Sequence, residues 1–171
     1  MRRGISGTGY EPIHIGIASQ RRDVGLDKVP ESRRMIMAMK IVADTSAFLA
    51  VALDEPERAA IVEATAECEL VAPDVLPFEI GNALTAMMKK GSLRPEEVIP
   101  AWESLQRISV ELHRVDVRSA LSIAVERNLY AYDAYFLQCA IALGSPLLTL
   151  DRRLRNAACD MGIRLLEVKR S

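Results

Sequence analysis

The stretch Met39-Lys40-Ile41-Val42-Ala43-Asp44-Thr45-Ser46 decides the fold. Its apolar run Ile41-Val42-Ala43 reads as a short buried strand, and a helical pattern follows over residues 45–53, stopping near Pro56. Between the two stands Asp44, a residue type favoured at helix N-caps. The order strand, aspartate, helix returns at Leu147-Leu148-Thr149-Leu150-Asp151, where a strand over 146–150 runs into Asp151 and a helix continues to Met161.

Outward from these two anchors the chain alternates in the same way. Further strands are expected at 70–72, 109–115 and 163–166, and a helix at 57–67. Asp74 is expected to cap a long helix with Ile80, Leu84, Met87 and Met88 on one face, closed by Gly91. Pro95 opens a helix through Trp102 and Leu105, at a first-turn position where proline is tolerated. Asp116 caps a helix to Asn128, and another spans 131–143, ending at Gly144. Strands separated by helices imply a three-layer α/β/α sandwich around a mostly parallel sheet of about five strands. Ligands of such folds bind beyond the carboxyl ends of the strands. Asp44 and Asp151 are both expected there.

Composition sets limits on function. The chain has 171 residues, half of them apolar and 26% charged, which suits one globular domain. Residues 1–38 carry net charge +3 and the remainder −4, so the main domain is acidic. That excludes loose, charge-driven binding to nucleic acid, which needs a basic footprint. Cys68, Cys139 and Cys159 have no metal-ligand spacing and fall in apolar helical patterns. They read as reduced core residues of a cytoplasmic protein. His14 and His113 are the only histidines and lie far apart, too few for a zinc centre or a histidine-based triad. The apolar stretch 35–53 is no membrane span, because Lys40 and Asp44 sit inside it and each would cost about 2.5–3.5 kcal/mol at a bilayer centre.

Two more acids complete a pattern. Glu79 lies one turn into the long helix, with Asn82 on the same face, and Asp133 lies in the first turn of the helix over 131–143. Each acid has a structural role available to it, as a cap or as favourable charge at a helix N-terminus. Four acids at strand ends or early helix turns near one edge are harder to explain by stability alone. Two carboxylates about 5 Å apart repel by about 3 kcal/mol at an effective dielectric near 20. A hard divalent cation would relieve that repulsion, and Mg2+ or Mn2+ favours oxygen ligands of this kind.

The segments Met39-Lys40-Ile41-Val42-Ala43-Asp44-Thr45-Ser46, Glu79-Ile80-Gly81-Asn82-Ala83-Leu84, Ala131-Tyr132-Asp133-Ala134-Tyr135-Phe136 and Leu148-Thr149-Leu150-Asp151-Arg152-Arg153-Leu154 resemble, in order, the motifs of PIN-domain ribonucleases. The group most similar is the VapC toxins of bacterial and archaeal toxin–antitoxin pairs. The likeness covers nearly all of residues 39–168 and does not reach residues 1–38. It implies a metal-dependent endoribonuclease with Asp44, Glu79, Asp133 and Asp151 as the acidic Mg2+- or Mn2+-binding set. Thr45, Ser46, Asn82 and Thr149 match polar positions that support such a site. It also implies an RNA substrate, a cognate antitoxin protein whose tail blocks the site, and a homodimer; the apolar helix faces at Met87, Trp102 and Leu105 are candidates for its interface, but they read more readily as intramolecular core.

Arg152, Arg153 and Arg155 follow Asp151 at a helix start, and Arg can grip phosphate bidentately, which makes Arg152 and Arg153 candidates for RNA phosphate contact. Lys89, Lys90 and Arg94 form a second candidate track, and Tyr132 and Tyr135 are candidates for stacking on bases. Two other classes compete. A phosphatase or phosphotransferase of the haloacid-dehalogenase kind would place a second Asp two residues after Asp44, where Ser46 stands. A non-catalytic module with the same fold would be expected to lack one of the four acids, and all four are filled.

Residues 1–38 hold Gly4, Gly7, Gly9, Gly16, Gly25, Pro12 and Pro30 with no sustained period, apart from the alternating Ile13, Ile15 and Ile17. They read as a flexible extension ahead of a nuclease-like domain over 39–171. Met35, Met37 and Met39 crowd the point where regular pattern starts. The expectation is that translation begins at one of them. Mass spectrometry of the endogenous protein tests this, and an abundant peptide from within residues 4–21 would overturn it.

Overall fold

The computed structural model describes residues 38–168. The expectations for the extension, its short strand and the translation start lie outside these residues, as does His14. Four strands are present: β1 (Met39–Ala43), β2 (Cys68–Pro73), β3 (Glu111–His113) and β4 (Leu147–Leu148). The helices are α1 (Thr45–Ala52), α2 (Arg58–Thr65), α3 (Leu76–Lys89), α4 (Val98–Leu105), α5 (Val117–Arg127), α6 (Ala131–Leu143) and α7 (Arg152–Asp160), with a 3-10 turn at Pro95–Glu97 before α4.

The strands pair in the order β3-β2-β1-β4, all parallel. From β1 the chain steps outward to β2 and then β3, and afterwards returns across the sheet to β4. Parallel crossovers are right-handed, so this reversal of direction puts the first connecting helices on one face and α5 and α6 on the other. Packing agrees: α1 lies against α2, α3 and α4, whereas α6 lies against β1, β2 and β4 and carries α5. The sandwich is therefore the three-layer α/β/α arrangement expected. The reversal opens a crevice between the carboxyl ends of β1 and β4, because the chain leaves these neighbouring strands in opposite directions.

Strands covered on both faces must be apolar throughout. Ile41, Val42, Val71, Ala72, Leu147 and Leu148 are accordingly all buried. Phe136 and Leu137 of α6 fill the face below, and Leu84 of α3 belongs to the same core. Met87 and Trp102 pack against this core and Leu105 is inside it, so these three serve the interior and not a free surface.

Several expected elements are shorter than their sequence patterns, each for a visible reason. The third strand pairs only over Glu111–His113, because Ile108 still closes the end of α4 through Leu105 O and Asp116 already caps α5. The fourth is two residues long, since the Leu150 and Asp151 amides turn to the hydroxyls of Ser46 and Thr149. The expected fifth strand is a single parallel bridge, Leu165 to Leu147. Ile163 is still bonded to Ala158 O at the end of α7, and only Arg164 O and the Leu166 amide reach Leu147.

Two further expectations are corrected. Asp74 does not cap α3; the N-cap is Val75, without a side-chain bond, and the Asp74 amide donates to His113 O. The cysteines are free, but only Cys139 is a buried helical residue. Cys68 opens β2 half-buried, and Cys159 is exposed because α7 buries Leu154, Ala157 and Ala158 instead. Among the described residues no helix is long and apolar enough to cross a membrane.

The capping assignment can be checked directly. Asp116 accepts from the amides of Arg118 and Ser119, so Asp116→Ala should lose about 1 kcal/mol in urea unfolding, whereas Asp74→Ala should be close to neutral. Equal losses would contradict the assignment.

Candidate active site

Asp44 is the last residue before α1 and is only 5% exposed, at the crevice between β1 and β4. A carboxylate placed there must be supplied with donors. The Ser46 hydroxyl donates to its Oδ1 at 2.6 Å, the Thr149 hydroxyl to its Oδ2 at 2.7 Å, and the Ala47 amide to Oδ1 at 3.2 Å. Each hydroxyl has one proton and spends it on Asp44, so each must accept elsewhere. Ser46 Oγ accepts from the Leu150 amide at 2.9 Å, and Thr149 Oγ1 from the Asp151 amide at 3.0 Å. Two short relays thus tie the start of α1 to the end of β4.

The other acids arrive from separate elements. Glu79 projects from the first turn of α3, and the Thr45 hydroxyl donates to its Oε2 at 2.7 Å. Asp151 caps α7 by accepting from the Leu154 amide at 2.8 Å, and is exposed. Asp133 stands half-buried in the first turn of α6. For Asp44 and Asp151, capping occupies one carboxylate oxygen of each, Oδ1 in both, and the Oδ2 of Asp44 accepts from Thr149, so the cap and site readings are compatible.

The acids act on one another in pairs, Asp151 on Asp44 and Asp133, and Asp44 and Asp133 on Glu79. Burial pushes the Asp44 carboxyl up to about 6; the bonds from Ser46, Thr149 and Ala47 oppose this, and Asp151 adds to it. Burial likewise pushes Glu79 up to about 7, against the Thr45 bond and assisted by the charges of Asp44 and Asp133. Asp133 is raised by burial and by Asp151, with Arg153 pulling the other way. Among the described residues no three His, Cys, Asp or Glu side chains form a ready-made ligand cluster. The acids feel one another without converging on a single point.

The structure divides the expected supporting residues. Thr45, Ser46 and Thr149 each bond a candidate acid. Asn82 is exposed one turn beyond Glu79, and its backbone oxygen accepts from Thr85. Arg153 turns inward to the chain: it donates to Asn128 O and its guanidinium lies 5.3 Å from the Tyr130 ring centroid. It thereby fastens the α5–α6 turn, and with it Asp133, to the segment after Asp151. Arg94 is paired with Glu96 and Glu97, whereas Lys89 and Lys90 are exposed. Tyr132 and Tyr135 engage each other edge to face at 5.8 Å.

Some contributors were not visible in the sequence. Asn128 adopts the left-handed conformation (φ 52°) that ends α5 and turns its carbonyl to Arg153. Phe78, next to Glu79, and Tyr130, before α6, are 72% and 74% exposed. Helical spacing alone does not tell an exposed aromatic from a core one.

Comparison with known proteins follows the same boundaries. The PIN domain family model matches residues 41–159. Ribonuclease VapC3 of Pyrobaculum aerophilum is 30% identical over 121 residues, 68% of this chain and 92% of that protein. Ribonuclease VapC3 of Mycobacterium tuberculosis is 29% identical over 119 residues, 69% of this chain and 87% of its own length. The crystal structure of PAE2754 from Pyrobaculum aerophilum superposes with a TM-score of 0.55 at 26% identity, covering 71% of this chain and 87% of that one. A buried aspartate held by two hydroxyls at the sheet reversal, two more acids within its field and this span of similarity lead to one assignment: the chain belongs to the PIN-domain family, in the group that holds the VapC ribonucleases.

Proposed function

We propose that the protein is a divalent-metal-dependent endoribonuclease and the toxin of a toxin–antitoxin pair, with Asp44, Glu79, Asp133 and Asp151 as its acidic centre. The observation that carries this reading is Asp44, buried at the crevice with its carboxylate held by the Ser46 and Thr149 hydroxyls, with Glu79 tied to the same corner through Thr45 and Asp151 following Thr149 on the β4–α7 connection. A fold gains nothing by collecting such groups unless a cation joins them. The donor set is all oxygen, which fits Mg2+ or Mn2+ and does not fit a softer metal.

Mg2+ keeps several waters and is usually held by one or two carboxylates directly. Asp44, Glu79, Asp133 and Asp151 would hold such an ion, directly or through its waters. When bound, the ion supplies positive charge to the phosphoryl oxygens and lowers the pKa of water bound to it. The chain supplies position. Ser46 and Thr149 hold both Asp44 oxygens in place, and Thr45 orients Glu79.

The family likeness supports an RNA substrate and a cognate antitoxin, whose Arg side chains would enter the acidic crevice by charge-assisted hydrogen bonds. Self-association is also part of the proposal. Met87, Trp102 and Leu105 are spent on the core, so the exposed stripe Val117, Leu121 and Val125 of α5 is the surface that supports it. Three free thiols accord with a reducing cytoplasm. A phosphomonoesterase is the second reading, and the same assay separates it.

Labelled RNA incubated with the protein should be cut in Mg2+ or Mn2+ and left intact in EDTA. Asp44→Asn should lower the rate at least ~100-fold, a loss of several kcal/mol of transition-state stabilisation. Hydrolysis confined to small phosphomonoesters would sink the nuclease reading. Stability should move the other way. Asp44 and Glu79 take up protons more readily in the folded chain, at about 6 and about 7, than in the unfolded chain near 4. Their contribution is therefore present at low pH and lost as pH rises through that window. In EDTA, Tm attributable to these groups should fall from pH 5 to pH 8. Asp44→Asn should flatten the fall, and Mg2+ should restore Tm for the wild type more than for the variant. A fall that is identical in both proteins would remove Asp44 as its source.

A further inference from the structure

Thr149 touches more than the acidic centre. Its hydroxyl is bonded to Asp44, and the same residue lines a separate depression of about 380 Å3 between the β4–α7 connection and the chain after Ile163. The walls are mixed. Leu150, Leu166 and Val168 are apolar, and Arg152 and Asn156 are polar. Arg152, Arg155 and Asn156 share one face of α7, at spacings of three and four residues. Arg155 is committed, because its guanidinium pairs with Glu167 and so holds the closing segment 166–168 against the helix. Arg152 and Asn156 are exposed, and neither is engaged by another side chain among the described residues. Glu57 also lines the depression. The helix N-terminus contributes nothing, since Asp151 already caps it.

We infer that this depression binds the base of a single-stranded RNA nucleotide next to the scissile phosphate, and that Arg152 and Asn156 set which base is accepted. The inference rests on the ribonuclease reading above and adds a specificity site to it. The volume lies at the lower end for pockets that take small ligands, about 300–1,000 Å3, and suits one nucleoside. Unstacked bases are taken up against apolar side chains or Arg planes and read at their edges by side-chain amides. Asn156 offers both a donor and an acceptor for that reading. Arg152 follows Asp151 directly, and Thr149 both bonds Asp44 and lines the depression, so the depression adjoins the acidic centre. The two consecutive arginines then have different tasks: Arg153 braces Asp133, and Arg152 meets substrate.

The test uses the full chain with Arg152→Ala, Asn156→Ala and, as a charge control, Arg107→Ala. Arg107 is exposed between α4 and β3, at the opposite edge of the sheet from the crevice. On a randomised single-stranded RNA pool, Asn156→Ala should flatten the base preference beside the cut about tenfold. Arg152→Ala should raise KM about tenfold with a smaller change in kcat, and the control should match the wild type. In EDTA, titration with the four nucleoside 5′-monophosphates should shift the Asn156 side-chain amide and Leu150 backbone NMR signals unequally, and Arg152→Ala should abolish the shifts. Cleavage with unaltered preference and KM in both variants overturns the inference while leaving the nuclease intact. The same holds if Arg152→Ala only weakens binding of an antitoxin peptide. Should the wild type show no EDTA-sensitive cleavage, the ribonuclease reading falls, and the nucleotide titration alone then decides whether the depression binds a base.

Discussion

A single negative charge is buried at the end of an apolar strand, and most of the architecture around the crevice answers to it. Asp44 stands where β1 stops and α1 starts, and water cannot supply its hydrogen bonds at 5% exposure. An unpaired buried carboxylate is among the costliest groups a fold can hold. Two hydroxyls and one amide take the place of water, one hydroxyl from α1 and the other from the far end of the chain. The donors lower the cost without removing it, as the carboxyl's reluctance to ionise shows.

Sheet topology decides where that cost can be useful. The strand order β3-β2-β1-β4 makes β1 and β4 neighbours whose chains depart in opposite directions. Asp44, Thr149 and Asp151 then come together although about a hundred residues separate the first from the others. The shortness of β4 belongs to the same arrangement. Its last amides leave the ladder to serve Ser46 and Thr149, so the sheet gives up pairing to organise the crevice.

Much of this was legible in the sequence. The two strand-to-aspartate junctions specified which edge of the sheet would carry the acids, because a buried strand and a favoured capping residue are both local signals. The ends of β3 and β4 were not legible, since they depend on bonds to distant partners such as Ser46. Asp74 misled for the opposite reason. Its type suits a cap, but its amide is drawn to His113 O and the helix begins later, at Leu76. Adjacent arginines showed the same limit: nothing in Arg152-Arg153 distinguishes the one held by Asn128 from the one left outward. Spacing gave each acid an edge of the fold, and only the folded chain shows how far their charges reach one another.

The seam between α5 and α6 is built largely from small side chains, with Ala120, Ala124 and Ala134 meeting beside Val115. Ala134 directly follows Asp133, so the close approach of two helix backbones sets the height at which that acid stands. Bulk added to the seam would therefore be felt at the crevice, whereas the outward side of α5 stands clear of it.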